Sequence, residues 1–133
     1  LKSRGFDQET IKQFRVGFHP NNWNWLESRA QGRYQPSEFA AVRLMGERQG
    51  GHGYYDNCVD RVLFPIRDMR GRPVAFGGRI LPDCKQENAA KYWNSPESQF
   101  FSKSDLLYAF DVAREGIRRS ETAVVVEGYT DCI

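Results

Sequence analysis

The chain has 133 residues, of which 40% are hydrophobic and 27% are charged, values typical of a folded domain and not of a disordered one. It contains no long apolar run and no leader of the secretory type, so nothing favours a membrane span or export, and we expect a cytoplasmic protein. Its three cysteines, Cys58, Cys84 and Cys132, are widely spaced without a CxxC pair, which favours reduced thiols over disulfides or a zinc site. Because the chain begins at Leu1 and stops just after an apolar run, we expect it to be a piece of a longer protein.

The net charge of +2 conceals an uneven distribution of charge along the chain. Residues 61–103 carry eight lysines and arginines against four acids, whereas residues 104–133 carry three against six. A basic middle followed by an acidic end is typical of a track for a polyanion that leads to a metal site. Charges of this kind also serve simply to solvate a surface, so the pattern alone leaves both interpretations open.

The first third of the chain predicts short helices that pack on a core. Their predicted caps or first residues are Asp7, the pair Asn21-Asn22, and Pro36. The apolar stripe of the third helix is expected to end at Gly46, and a glycine-rich loop to follow over residues 46–53. The two histidines, His19 and His52, stand far apart and are interpreted as loop residues rather than ligands.

A β-hairpin is predicted in the middle of the chain. Apolar runs at residues 62–66 and 74–76 flank a polar segment in which Gly71 can take the positive φ of a tight turn. Pro65 lies inside the first run and cannot donate to a β-ladder. This strand is therefore expected to be an edge strand or to carry a bulge.

The second strand of this hairpin continues into Gly77 and Gly78, followed by Arg79. Two glycines without side chains would let another backbone or a phosphate come close to the strand and would present Arg79 on bare backbone. A bulge followed by a solvated arginine explains the same residues. Further on, residues 91–97 (KYWNSPE) suit a strand edge that meets phosphate through Lys91, although the rings could equally be core and the rest a turn.

The acidic end combines a helix, an apolar run and two carboxylates. Asp111 is expected to cap a helix over residues 112–119, and residues 122–126 (TAVVV) predict a fully buried strand of a parallel sheet. Glu127 would then lie at the carboxyl end of that strand and Asp131 in the next turn, where the two could share a hard cation such as Mg²⁺. The alternative is an acidic helix start in which Asp131 only complements the helix dipole.

Several of these segments, taken in order, resemble the catalytic core of bacterial replicative DNA primases, the DnaG family. The last of them resembles the opening motif of a TOPRIM domain, which topoisomerases and some nucleases share. The FGGR and KYWNSPE blocks are what point to primases. The matching segments are Arg4-Gly5, FPIRD at 64–68, FGGR at 76–79, KYWNSPE at 91–97, Lys103 and VEGYTD at 126–131.

The resemblance implies an α+β fold, with small helices packed on an antiparallel sheet and ending in the first strand of a truncated TOPRIM α/β domain. Residues 1–120 would form the basic, nucleic-acid-binding subdomain and residues 121–133 the beginning of the catalytic one. The implied activity is synthesis of short RNA primers from NTPs on single-stranded DNA, with Mg²⁺ or Mn²⁺. The implied partners are the template, the NTPs, the nascent primer and a replicative helicase bound through a downstream domain, with no membrane; zinc would belong only to an upstream domain absent here.

The resemblance also implies roles for particular residues. Glu127 matches the acid proposed to bind metal or assist proton transfer, and Asp131 stands at the nearby acidic position of the metal site. The positions implied in nucleic-acid or nucleotide binding are Arg4, Arg61, Arg79, Lys91, Asn94 and Lys103.

The chain also departs from the family pattern. Residues 56–59 read Asp-Asn-Cys-Val where the family usually shows an Asp-Arg-Phe-Arg type segment, so basic contacts are missing or supplied elsewhere. Further TOPRIM acids would lie beyond Ile133, and we therefore expect this piece to bind nucleic acid but to be inactive alone. Two rival interpretations remain: a piece of a TOPRIM-type nuclease or topoisomerase, and a non-catalytic single-strand-binding module. A phage-type primase-helicase origin is also open.

Overall fold

A computed structural model describes residues 5–84 and 89–133. The chain folds into short helices around an antiparallel sheet, which confirms the α+β class. The helices are α1 Gln8–Phe14, α2 Trp25–Ala30, α3 Pro36–Ala41, α4 Phe110–Ser120 and α5 Tyr129–Cys132. The strands are β1 Gly17–His19, β2 Met45–Glu47, β3 Tyr54–Asp56, β4 Arg61–Arg67, β5 Pro73–Ile80 and β6 Tyr92–Asn94. None of the helices in these two ranges is long and apolar enough to cross a membrane.

The main sheet has four antiparallel strands in the order β1-β4-β5-β6. Its centre is the predicted hairpin, β4 and β5, in which Phe64 pairs with Gly77 and the turn contains Gly71 at φ 74°. Strand β6 forms one edge of the sheet, as the KYWNSPE block predicts. A separate two-stranded hairpin pairs β2 with β3. It includes the first two residues of the expected glycine-rich loop, and residues 48–53 form the loop that joins its strands.

Pro65 sits where the sheet tolerates a residue without an N–H. The pairing of β1 with β4 ends at Leu63, so Pro65 pairs only with Phe76 of β5. The register of the hairpin shifts one residue later, between Ile66 and Arg67. The expectation of an edge or a bulge at this proline is confirmed: β4 is central at its beginning and becomes an edge at its end.

The helix ends follow the sequence in part. Asp7 caps α1 by accepting a 2.7 Å hydrogen bond from the Thr10 N–H, and the hydrogen bonds from Thr10 lower the pKa of that carboxyl. The third helix was predicted to run up to Gly46, and this prediction is wrong because α3 ends at Ala41. Gly46 belongs to β2, and a Cβ there would lie 2.6 Å from Cζ of Tyr55. Because glycine has no side chain, the Tyr55 ring can lie over it in the paired strand.

A buried histidine-aspartate pair ties the small hairpin to the main sheet. Nε2 of His19, in β1, lies 2.8 Å from Oδ2 of Asp56, in β3, and the same oxygen accepts a hydrogen bond from the Leu26 N–H. Nδ1 of the histidine lies 2.8 Å from the Pro20 carbonyl oxygen. His19 and Asp56 are almost completely buried, so the interpretation of His19 as a loop residue is wrong.

The core lies on the face of the sheet that residues from the last third of the chain cover. Ile66 and Ala75 pack there against Phe101. Partly buried side chains surround this centre: Val74, Leu106, Tyr108 and Tyr129. The acidic end of the chain is thereby attached to the basic hairpin through apolar contacts.

The apolar run at residues 122–126 differs from its prediction. These residues form no strand, and Val124 and Val125 are 85% and 80% exposed. A β-strand needs a neighbour to satisfy its backbone groups, and no strand of the described ranges pairs with this run. The prediction of a buried strand at residues 122–126 is therefore wrong for this chain.

Candidate nucleic-acid and metal site

The exposed edge of the sheet carries an aromatic ring with two cations close to it. Tyr92 is 51% exposed, and its ring centroid lies 5.3 Å from Cζ of Arg79 and 5.7 Å from Nζ of Lys91. Arg79 is the cross-strand neighbour of Tyr92, which places both on one face of the sheet. Two of the predicted basic residues are thus brought together around a ring on which a base could stack.

The two glycines of β5 allow other side chains to pack closely against the strand, so the backbone there is not left open. A Cβ on Gly77 would lie 2.3 Å from the ring of Tyr129, and a Cβ on Gly78 would lie 3.1 Å from Cδ of Arg61. Because successive residues of a strand face opposite sides, each glycine admits a side chain on its own face of the sheet. The expectation of a bare backbone for a phosphate is therefore wrong at Gly77, whose surface the Tyr129 ring covers.

Tyr129 attaches the acidic segment to this face. Its ring stacks on Phe64 with 5.3 Å between centroids and 9° between planes, and meets the Tyr108 ring edge-on at 4.8 Å. Its hydroxyl donates a 2.7 Å hydrogen bond to Oδ1 of Asn94. Burial raises the pKa of Tyr129, which keeps the hydroxyl protonated.

The two predicted metal ligands line the same cavity as the sheet residues. This cavity has a volume of about 880 Å³, and its wall includes Arg79, Asn94, Glu127 and Asp131. The carboxylate of Asp131 lies close over Gly128, where a Cβ would come within 2.5 Å of Oδ2. A side chain at position 128 would therefore require the exposed carboxylate of Asp131 to rotate away.

The donor set at this wall fits a hard cation in part. Glu127 and Asp131 are exposed, and neither carboxylate makes a hydrogen bond or an ion pair with another residue in the described part of the chain. No group of three potential ligands occurs among residues 5–84 and 89–133. Mg²⁺ is commonly held by one or two carboxylates while water and substrate phosphates complete its shell, which is what two carboxylates on a cavity wall could provide.

Two other predicted residues lie elsewhere. Arg61 is only 6% exposed and sits on the opposite face of the sheet from Arg79, because Arg79 pairs with Val62, its neighbour in β4. Desolvation lowers the pKa of Arg61, and within the described ranges its Nη1 has no hydrogen-bond partner. Lys103 is exposed on a loop, where its N–H donates to Oε1 of Glu97, and Arg4 lies outside the described residues.

Tyr129 and Tyr92 are the site residues that sequence reasoning missed. Both lie inside recognised motifs, but attention to charge favoured Lys91, Glu127 and Asp131. A signal was present in the glycine at position 77, because a glycine in a central strand often marks the close approach of another group. The sequence could not show that this group is the Tyr129 ring.

The chain belongs to the family described as DNA primase catalytic core, N-terminal domain, whose profile matches residues 1–114. It is 44% identical over 134 residues to a DNA primase of Halalkalibacterium halodurans, covering 100% of this chain and 22% of that protein. The crystal structure of the RNA polymerase domain of Mycobacterium tuberculosis primase DnaG is similar, with a TM-score of 0.86, 37% identity and coverage of 98% of this chain and 42% of that one.

A second solved structure, the DnaG primase catalytic domain bound to ssDNA, has a TM-score of 0.82 and 35% identity and covers 97% of this chain and 39% of that one. The chain thus spans about a fifth of the length of the curated relative from Halalkalibacterium halodurans that it matches.

Proposed function

We propose that the protein to which this chain belongs is a DNA primase that synthesises short RNA primers from NTPs on single-stranded DNA. Residues 1–120 would form its nucleic-acid-binding subdomain, and residues 121–133 would begin its TOPRIM catalytic subdomain. Family membership over residues 1–114 supports both the activity and this boundary. The similar catalytic domain that was solved with ssDNA supports the choice of template.

The observation that carries the proposal is the shared cavity. It brings Arg79 and Asn94, on the sheet, to the same wall as Glu127 and Asp131, on the acidic segment. A polymerase needs cationic and polar groups that hold phosphates and sugars next to carboxylates that hold a metal ion. A module that only bound single strands would not require the carboxylates, and no feature of the described residues favours that alternative.

In the proposed mechanism the chain's own residues bind and orient the reactants. Arg79 and Lys91 neutralise phosphate charge beside the Tyr92 ring, and the resemblance adds Arg4 and Lys103 to this basic set. Glu127 and Asp131 would hold Mg²⁺ or Mn²⁺, which supplies charge stabilisation at the transferred phosphoryl group. Glu127 could alternatively accept the proton of the attacking hydroxyl.

Arg61 has a different place in this scheme. Its burial on the opposite face makes a direct phosphate contact at the Tyr92 edge incompatible with the described arrangement. Its Cδ lies close to Gly78, and one nitrogen of its guanidinium has no hydrogen-bond partner among residues 5–84 and 89–133. We therefore propose contact with nucleic acid at Arg61 only for a ligand that reaches that second face.

The isolated chain should bind nucleic acid without synthesising primers. Its two exposed carboxylates have no third potential ligand among the residues that the structure describes. Cytoplasmic location, a helicase partner on a downstream domain and zinc in an upstream domain complete the proposal. Primer synthesis by residues 1–133 alone would refute the inactivity of the piece and leave the primase activity intact.

The test of the activity is NTP incorporation by the full-length protein on single-stranded DNA with Mg²⁺. We expect RNA primers from the wild type and a loss of roughly tenfold or more in Lys91→Ala, because a charge-assisted phosphate contact is removed. Lys12→Ala removes an exposed lysine from α1 and should have no effect. DNA cleavage without NTP incorporation would support a TOPRIM-type nuclease or topoisomerase, and binding without either reaction would support a single-strand-binding module.

A further inference from the structure

We propose that Tyr129 is a positioning residue that fixes the side-chain amide of Asn94 so that its NH₂ group donates to an oxygen of the bound nucleotide. This inference rests on the proposed function and names how the same cavity selects its substrate: by an acceptor oxygen of a phosphate or a sugar. Its basis is the 2.7 Å hydrogen bond from the Tyr129 hydroxyl to Oδ1 of Asn94, across 35 positions of sequence.

The ring that provides this hydrogen bond is itself held on three sides. Phe64 stacks beneath it at 5.3 Å, Tyr108 meets it edge-on at 4.8 Å, and the missing side chain of Gly77 leaves it room against β5. A tyrosine packed in this way has little rotational freedom, so its hydroxyl is a fixed point. Asn94 is exposed at the edge strand and would otherwise be free to turn its amide over.

The hydrogen bond to Oδ1 of Asn94 determines which polar group of the amide is available to a ligand. The oxygen and the NH₂ group are bonded to the same carbon, so an oxygen engaged by Tyr129 leaves the NH₂ group as the polar group available to a ligand. That nitrogen makes no hydrogen bond within residues 5–84 and 89–133. Asn94 also lines the cavity that contains Arg79 and Glu127.

The orientation of the amide matters for a nucleotide because most of its polar surface consists of acceptors. An NH₂ group donates to phosphate, hydroxyl or ring oxygens. An amide turned the other way would place Oδ1 against phosphate and ring oxygens, which have no proton to donate and would repel it. In the free protein, water competes for the exposed amide, so the hydrogen bond contributes little to stability. When a nucleotide displaces that water, an amide that is already oriented avoids the cost of ordering it.

The test uses the full-length protein and measures its dissociation constant for ATP or GTP together with KM and kcat for primer synthesis. Tyr129→Phe keeps the ring and its packing and removes only the hydroxyl. We expect nucleotide binding to weaken by about three- to tenfold and KM to rise by the same factor, while kcat and the melting temperature stay near the wild-type values.

The matched control is Tyr108→Phe. This tyrosine belongs to the same aromatic cluster, and its buried hydroxyl has no hydrogen-bond partner in the described part of the chain. Its removal should leave nucleotide binding unchanged. An equal effect of the two substitutions would show that any lost hydroxyl in the cluster weakens binding and would overturn the inference.

A double-mutant cycle separates positioning from a general structural role. If Tyr129 acts through Asn94, then Tyr129→Phe should have no further effect on nucleotide binding in an Asn94→Ala background. Asn94→Asp keeps an acceptor for the tyrosine and replaces the donor with a second oxygen, so it should weaken binding more than Asn94→Ala. Full additivity of Tyr129→Phe and Asn94→Ala, or an unchanged dissociation constant in Tyr129→Phe, would contradict the inference.

The same experiment distinguishes this inference from the proposed function. Wild-type protein that binds NTPs and shows the expected cycle but makes no primers would refute the primase activity and support the role of Tyr129. Wild-type protein that makes primers while Tyr129→Phe binds NTPs normally would support the activity and refute the positioning role.

Discussion

Arg67 at the end of β4 and Asp111 in the first turn of α4 form an almost completely buried ion pair, with 3.0 Å between Nε and Oδ2. The same guanidinium donates to the carbonyl oxygen of Gln13 at the end of α1. One arginine thus joins both helices to the central hairpin. The expectation that Asp111 caps its helix is wrong, because Ala109 at φ 60° is the N-cap and the carboxylate is engaged by Arg67.

Removing the carboxylate of this pair should strongly destabilise the chain. Asp111→Ala leaves the Arg67 guanidinium buried without its counter-charge, and we expect the free energy of unfolding to fall by about 3–5 kcal/mol. Urea denaturation followed by circular dichroism measures the loss. Glu115→Ala is the matched control, because it breaks an exposed pair with Arg118 on the same helix and should cost no more than about 0.5 kcal/mol. Equal losses would show that the buried pair is not what joins α4 to the sheet.

We expect a side chain at position 77 to displace the Tyr129 ring, which covers Gly77. The Cβ of Gly77→Ala would lie 2.3 Å from the Tyr129 ring, so we expect the ring to move off Phe64 and the free energy of unfolding to fall by about 1–3 kcal/mol. Gly17→Ala is the matched control, since it is also a strand glycine and its Cβ would meet no atom within 4 Å. Denaturation of both variants checks the difference, and a Gly77→Ala protein as stable as Gly17→Ala would contradict the packing of Tyr129.

Local patterns predicted the elements that depend on neighbouring residues. The hairpin, its turn at Gly71 and the cap at Asp7 all follow from chemistry within a few positions of the chain. The edge position of the KYWNSPE block also follows from its mixture of polar and aromatic residues.

Pairs of residues distant in sequence were not predictable in this way. His19 and Asp56 are 37 positions apart, and Tyr129 and Asn94 are 35 apart; each residue alone is compatible with an exposed loop or turn. Only the strand register and the docking of the last segment bring the partners together. The run at residues 122–126 shows the converse, because its apolar pattern predicts a buried strand and burial requires partner strands.

The thiol of Cys58 should make stability fall in alkaline solution. Burial raises the pKa of Cys58 from 9.0 to about 12, so the folded chain holds the thiol proton more tightly than the unfolded chain. This contribution to stability is complete below pH 9 and is lost as the pH rises toward about 12. Between pH 9 and about 12, the free energy of unfolding should therefore fall less steeply with pH in Cys58→Ala than in the wild type. An unchanged slope would contradict the burial of this thiol.

Thiol labelling gives an independent check of the same cysteine. Cys58 is buried, whereas Cys84 is partly exposed and Cys132 is exposed. We expect a thiol reagent at pH 8 to modify Cys84 and Cys132 in the folded chain and Cys58 only after unfolding. Rapid labelling of all three residues would contradict the described packing.

The cations at the edge of the sheet should contribute to the salt dependence of single-strand binding. If Arg79 and Lys91 each contact one phosphate, Arg79→Ala or Lys91→Ala should reduce the slope of log affinity against log salt by about 0.7. Arg33→Ala and Lys12→Ala remove exposed cations elsewhere and should leave the slope unchanged. A titration of labelled single-stranded DNA at several salt concentrations measures it. An unaltered slope in both edge variants would place the phosphates elsewhere.

The most direct test is primer synthesis by full-length Glu127→Gln, measured beside its affinity for single-stranded DNA. We expect synthesis to fall by roughly two orders of magnitude or more while DNA binding is retained, because the metal-binding or proton-accepting carboxylate is lost and the cationic edge is not. Glu9→Gln, an exposed glutamate of α1, should synthesise primers normally. Normal synthesis by Glu127→Gln would contradict the assignment of the cavity as the site of primer synthesis.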